Sequence, residues 1–123
     1  MCSSDLGWRA EFFARLAQAM PERLTLTGFA VRRPETAEAA TRRWGVPARL
    51  SPAELLRQQQ PDFVVTCVPW SANEAVLTEL VAAGTRVLSE TPPAPDLDAL
   101  RRLWARVGEI GRASCRERVC LSV

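Results

Sequence analysis

The sequence predicts an α/β chain built on a partial, doubly wound parallel sheet that lacks its first strand. Three observations predict it. Short apolar runs alternate with amphipathic segments of helix length, as in a parallel sheet flanked by helices. The run Phe63-Val64-Val65-Thr66-Cys67-Val68 is apolar almost throughout, which suits a strand covered on both faces. The alternation also opens with a helix. The strand that should precede it, central in a doubly wound sheet, is therefore missing.

Taken in order, Trp8–Met20 has Phe12, Phe13, Leu16 and Met20 near helical spacing and Pro21 just beyond. Leu24–Val31 predicts a strand, and Gly28 within it marks a close approach of neighbouring backbone. Pro34 suits the first turn of a helix to Trp44, with Ala37 and Ala40 inward and Gly45 ending it. Val46–Leu50 is a short strand or an extended link. Ser51-Pro52-Ala53-Glu54 has the form of a capping box with proline in the first helical position, opening a helix to about Gln59. Phe63–Val68 follows as a buried strand, stopped by Pro69 and Trp70 because proline cannot donate to a central ladder. Ser71 and Glu74 have the spacing of a second capping box. Ala75, Val76, Leu77, Leu80 and Val81 supply the sheet-facing stripe of that helix, and Gly84 sits where a left-handed residue ends it. Arg86-Val87-Leu88 is a short strand ending at Glu90, so residues 61–93 form a right-handed crossover unit. Asp96 caps a last helix that uses Leu97, Leu100, Leu103, Trp104 and Val107 and stops at Gly108. Trp44 and Trp104 fall on apolar helical faces and belong to the core.

Both ends depart from this pattern. Met1–Leu6 (MCSSDL) and IGRASCRERVC from Ile110 each resemble a short-read sequencing adapter translated in one frame. The alternative is a natural tail at each end. The expected organisation is an artefactual segment over residues 1–6, a partial dinucleotide-binding domain over 7–109, and a second artefactual segment over 110–123. Of the four cysteines, Cys2, Cys115 and Cys120 fall in these ends. Cys67 alone remains and is expected to pack as a small apolar residue, so neither disulfides nor a metal site is expected.

All sixteen basic residues are arginine, with no lysine, histidine or tyrosine in the chain. Arginine- and alanine-rich usage suits a GC-rich, bacterial source. The absence of His and Lys removes the usual groups for proton transfer and Schiff-base chemistry near neutral pH, so binding is expected rather than catalysis by this segment alone. No catalytic residue is assigned. A net charge of +2, without a basic stripe carrying interleaved aromatics, argues against nucleic acid. No signal peptide or membrane-length apolar run is present, so the expected compartment is the cytoplasm and no membrane partner is expected.

Ligands of such sheets bind beyond the carboxyl ends of the strands. Gly7-Trp8-Arg9-Ala10 lies where the phosphate-binding strand-to-helix turn would fall. Gly7 and Ala10 have the spacing of the last two small residues of G-x-G-x-x-G/A, and Asp5 stands where the first glycine belongs. The following helix would point its positive end at an anion, although any helix start can carry this short pattern. Arg32 and Arg33 follow the next strand where an acidic residue would hold a ribose 2′-hydroxyl. Arginine holds a 2′-phosphate instead, which favours NADP over NAD; the alternative is a pair of solvated surface arginines. Trp70 covers a cofactor face or packs against a neighbouring domain. Glu90-Thr91-Pro92-Pro93 positions a nicotinamide or merely stiffens a connection. Together the candidate cofactor residues are Gly7, Trp8, Arg9, Ala10, Arg32, Arg33, Pro69, Trp70, Glu90 and Thr91.

Several blocks in order (Gly7–Phe12, Trp44-Gly45-Val46-Pro47, Ser51–Leu56, Pro61–Val65, Val68-Pro69 and Glu90-Thr91-Pro92) resemble the N-terminal half of Gfo/Idh/MocA oxidoreductases. The resemblance implies a Rossmann domain binding NAD or NADP. It also implies a C-terminal α/β domain, missing here, that shapes the site for a small-molecule substrate such as a sugar, inositol or related carbonyl compound, oxidised or reduced by hydride transfer. The departures are specific. The family's Glu-Lys-Pro is Glu90-Thr91-Pro92, so the lysine associated with proton transfer is Thr91. The asparagine and histidine common after the preceding turn correspond to Trp70 and Asn73, and the acidic ribose-binding residue corresponds to Val31. The expectation is a truncated cofactor-binding domain, inactive as it stands. The alternatives are a non-enzymatic module for ligand or protein binding and, further off, a free-standing flavodoxin-like domain.

Overall fold

The computed structural model describes residues 6–90 and 92–110, apart from the side chains of 109 and 110. Residues 1–5 and 111–123, which hold most of the adapter-like sequence, and Thr91 lie outside the described residues. Nine elements follow in the predicted order: α1 (Trp8–Ala19), β1 (Phe29–Ala30), α2 (Pro34–Trp44), β2 (Ala48–Arg49), α3 (Pro52–Gln59), β3 (Val64–Thr66), α4 (Trp70–Ala82), β4 (Val87–Ser89) and α5 (Leu97–Ile110). They divide into two compact units, one ending at Pro61 and the other beginning at Asp62.

In the first unit, α1 buries Ala10, Ala14 and Ala17, spaced along one helical face, together with Glu11. This corrects the expected aromatic stripe: Phe12 is 57% exposed. Small side chains let a helix backbone approach its neighbours closely, and alanine satisfies that need where phenylalanine would hold the helix away. Strands β1 and β2 pair in parallel, Phe29 with Ala48 and Ala30 with Arg49. The Phe29 and Val31 amides donate to the Pro47 and Arg49 carbonyls at 3.0 and 2.8 Å. The strand expected over 24–31 is thus ladder-bonded only at its end. Its partner is bounded by Pro47, which has no N–H, and by the helix that begins at Pro52, so the ladder cannot extend.

Gly28 fulfils its expected role. A Cβ there would lie 2.7 Å from Leu55 Cδ1 and 2.8 Å from the Pro47 carbonyl oxygen. Helix α2 ends at Gly45, whose φ of 68° lies in the left-handed region, and Trp44 packs with its ring 6.4 Å from that of Phe29. Thr36 and Ala40 are buried in α2, rather than the Ala37 and Ala40 pair expected. Ser51 starts α3 without a side-chain capping bond. Glu54 is drawn instead to Arg49 at 3.5 Å and Gln58 at 3.3 Å, which leaves the predicted capping box unformed.

In the second unit, β3 and β4 pair in parallel with Val64, Val65 and Thr66 opposite Val87, Leu88 and Ser89. Ladder bonds reach one residue further at each end, from Val64 N–H to Arg86 O at 2.8 Å and from Glu90 N–H to Thr66 O at 3.2 Å. Helix α4 begins one residue before the predicted cap, with Pro69 in the capping position and no side-chain cap. Glu74 leaves the capping-box role because its carboxylate takes two hydrogen bonds from Arg102 of α5, at 3.0 and 3.3 Å. The C-terminus behaves as predicted. Gly84 has φ 70°, its N–H bonds to Val81 O at 2.9 Å, and Thr85 N–H bonds to Leu80 O at 3.1 Å, the paired bonds of a Schellman motif.

Asp96 caps α5 through a 2.8 Å bond from Ala99 N–H to its side chain. The helix then runs through Gly108, correcting the predicted stop there. Glycine costs a helix about 1 kcal/mol, which three turns already formed can absorb. The face that α5 buries is carried by Ala99 and Leu103, whereas Trp104 is 65% exposed and Leu97 and Leu100 are also exposed. The expected core role of Trp104 is therefore overturned. The helix is oriented by contact with α4, reinforced by the Arg102–Glu74 pair, and this turns Trp104 away from the core.

Candidate cofactor site at the carboxyl edges

In the first unit the predicted phosphate turn opens α1. Gly7 caps the helix without a side-chain bond, and the first main-chain bond onto it runs from Glu11 N–H to Gly7 O at 3.3 Å. The amides of the first turn have no acceptor within the helix, which is the condition for binding an anion. A Cβ added at Gly7 would meet nothing within 4 Å, so backbone there is open to close approach. Ala10 is buried, as the close-packing position of the motif requires. Trp8 is 73% exposed with the Arg9 guanidinium 5.4 Å from its ring centre. These residues fit a phosphate group.

Arg32 and Arg33 leave the carboxyl end of β1 and lead into α2, with Arg33 in the capping position. Both are exposed, and Arg33 Nε lies 3.7 Å from Glu35. The two candidate groups of this unit are linked through their helices. Glu11, the residue after Ala10, accepts two hydrogen bonds from Arg43 in the last turn of α2, at 2.8 and 3.1 Å. A bidentate pair of this kind fixes direction as well as distance, so the two helices are registered against one another. Composition gave no hint of it. The available signal was an acidic residue adjoining the small-residue stripe of an otherwise alanine-lined face.

In the second unit, Pro69 and Trp70 leave the carboxyl end of β3 to open α4, and Glu90 leaves the carboxyl end of β4. Because the strands are parallel and Thr66 pairs with Ser89, these residues share one edge of the sheet. Trp70 is 51% exposed and Glu90 half-buried. Thr91 lies outside the described residues. The residue that joins these two loops is Asn73, a departure from the family pattern in sequence but not among the candidate site residues. Asn73, fully buried in the second turn of α4, donates from Nδ2 to Ser89 Oγ and to the Pro92 carbonyl, each at 3.0 Å. Its signal was a polar residue in register with Leu77 and Leu80 on a buried helical face.

Among the described residues no group of three His, Cys, Asp or Glu side chains converges to hold a metal, and no helix is long and apolar enough to cross a membrane. Parallel strand pairs, crossover helices and an open helix start at Gly7 define a Rossmann-like α/β chain. The sequence matches the oxidoreductase family with NAD-binding Rossmann fold, Gfo/Idh/MocA, over residues 6–115, and the chain belongs to that family. Its use of NAD or NADP follows from this membership. No curated protein matches the chain.

Solved structures similar to it include the WlbA dehydrogenase of Bordetella pertussis, in complex with NADH and UDP-GlcNAcA. That structure is 24% identical with TM-score 0.76, and the match covers 85% of this chain and 33% of that one. The 3-ketoreductase KijD10 of Actinomadura kijaniata, in complex with NADP and TDP-benzene, is 29% identical with TM-score 0.69, covering 87% and 32%. GenD2 from gentamicin A biosynthesis, in complex with NAD, is 26% identical with TM-score 0.74, covering 94% and 31%. The chain thus spans about a third of the length of these relatives.

Proposed function

We propose that this chain is the cofactor-binding part of an NAD(P)-dependent oxidoreductase whose substrate is a nucleotide-linked sugar. The observation that carries the reading is the open start of α1 at Gly7 within a chain of this family. Support for the substrate class comes from the similar structures, of which WlbA holds UDP-GlcNAcA and KijD10 is a 3-ketoreductase holding TDP-benzene. When bound, the dinucleotide supplies the hydride donor or acceptor. The chain's own part is to bind and orient it: first-turn amides at Gly7–Ala10 on the pyrophosphate, Arg32 and Arg33 toward a 2′-phosphate, and Pro69, Trp70, Glu90 and Thr91 near the nicotinamide. Substrate contacts belong to a further domain of the kind its relatives carry.

On this reading the 123-residue chain does not turn over and binds cofactor weakly. Titration of nicotinamide fluorescence with NADH and NADPH checks this, and tight NADPH binding would contradict it. Replacing both Arg32 and Arg33 by serine should lower the preference for NADPH over NADH by about tenfold or more, since each arginine–phosphate bond is charge-assisted. An unchanged ratio would return the two arginines to the role of solvated surface groups. For the full reading frame recovered from the source locus, a panel of UDP- and TDP-sugars beside free polyols tests the substrate class. Cofactor binding without turnover on any member would favour a second reading, a ligand-sensing module, which Thr91 in place of the family lysine makes specific.

A further inference from the structure

We infer that Asn73 is the positioning residue of the cofactor edge in the second unit, fixing Ser89 and Pro92 and so presenting Glu90 to the dinucleotide. The inference rests on the proposed function for its ligand and on the geometry for everything else. The Asn73 carboxamide is wholly buried, and its Nδ2 donates to Ser89 Oγ and to Pro92 O, both at 3.0 Å. A main-chain carbonyl only accepts, so the amide nitrogen must be the atom facing Pro92 and the orientation of the side chain is fixed. The two acceptors lie immediately before and after Glu90-Thr91. One NH2 group therefore holds Ser89 and Pro92 together, while the bond from Glu90 N–H to Thr66 O ties Glu90 to β3.

An apolar residue at this position would satisfy helix packing as well as asparagine does. Leu77 and Leu80, on the same face, fill that role. A buried carboxamide is retained where its hydrogen bonds specify one arrangement of the chain around it. That arrangement holds Ser89 and Pro92 against the start of α4, the edge to which Pro69 and Trp70 also belong.

The test uses the whole 123-residue chain and two variants. Asn73→Asp keeps the shape and removes both donors, whereas Ser89→Ala leaves α4 intact and removes one acceptor. Amide hydrogen exchange is read at Glu90 and, for comparison, at Leu77 and Leu80 within α4. NADPH is then titrated to millimolar concentration while amide chemical shifts are followed. The expected result is faster exchange at Glu90, by about tenfold for each hydrogen bond lost, with Leu77 and Leu80 unchanged. NADPH-induced shifts at Glu90 should fall while those at Trp8–Ala10 persist.

Unchanged exchange at Glu90 in both variants overturns the inference. Equal acceleration throughout α4 also overturns it, because Asn73 would then be a packing residue only. Should Asn73→Asp fail to fold, Ser89→Ala decides by the same readings. Local acceleration in a wild-type background that shows no NADPH-induced shifts anywhere leaves the clamp standing and brings down the cofactor assignment instead.

Discussion

At the scale of single residues, the glycines separate packing from propensity. A Cβ at Gly28 would stand 2.7 Å from Leu55 Cδ1 and 2.8 Å from a main-chain oxygen of Pro47. The leucine can rotate, but the carbonyl is held by the bond from Phe29, so β2 itself must shift. Gly28→Ala should destabilise the chain by about 1–3 kcal/mol, the usual cost of overpacking. Gly108 is the opposite case: it is exposed within α5, and an added Cβ would meet nothing within 4 Å. Gly108→Ala should stabilise by about 1 kcal/mol through helix propensity alone. Urea denaturation of both variants reads the two signs directly, and like signs would refute the argument. The close approach at Gly28 was legible in the sequence because glycine inside a strand weakens it unless neighbouring backbone needs the space. The continuation of α5 through Gly108 was not, because a local stop signal is weak beside the packing of a whole helix face.

Among the elements, order and type were legible throughout, whereas faces were legible only in part. Ala40, Leu77, Leu80 and Leu103 are buried as expected, while Phe12 and Trp104 are exposed. Hydrophobic spacing located α1, yet Phe12 and Phe13 competed with Ala10, Ala14 and Ala17 for the inward side, and only packing distance decides between large and small. Both predicted capping boxes failed for one reason. Glu54 and Glu74 each met an arginine, Arg49 just ahead of α3 and Arg102, 28 residues beyond Glu74, which a three-residue spacing rule does not register. The candidate site divides likewise. Its loops follow from where strands end, whereas Glu11–Arg43 and Asn73–Ser89 are pairings 32 and 16 residues apart that periodicity cannot register.

The two bidentate arginine pairs give a contrast that can be measured. Glu11 is 12% exposed in its side chain, and Arg43→Ala removes two of its hydrogen bonds while Arg15, 3.7 Å away, remains. The expected loss is about 2 kcal/mol, as for hydrogen bonds to charged groups, with little response to salt. Arg102 is exposed, with its guanidinium pKa held above the ordinary value first by the hydrogen bond to Glu74 and then by that carboxylate's charge. A raised pKa favours the charged form at every pH below the arginine's own range, so the pair is present across neutral pH and would be lost only in strong alkali. Arg102→Ala should cost less than Arg43→Ala and lose its effect in high salt. Urea midpoints of the two variants at low and high ionic strength check both statements.

For the whole molecule, the pairing of strands bears on the weak binding proposed. In a doubly wound sheet the first strand lies between the second and the fourth. Here β1 pairs only with β2 and β3 only with β4, and among the described residues no strand precedes α1. Val65 is fully buried at the middle of β3, and in a parallel ladder its main-chain groups alternate away from β4. Buried main-chain groups require partners, so a further strand beside β3 would add ladder bonds where the present pairing has none. A strand ahead of Gly7 with a glycine at its end would also supply the first small residue of the phosphate turn. A chain lengthened by a Gly-containing apolar strand ahead of Gly7 should therefore unfold at higher urea with a steeper dependence, since more surface is buried in one cooperative unit. It should also bind NADPH at least about tenfold more tightly, equivalent to about 1.4 kcal/mol. Greater stability without a gain in affinity would locate the weakness in the cofactor loops themselves, with Thr91 and the Arg32–Arg33 pair as the next positions to change.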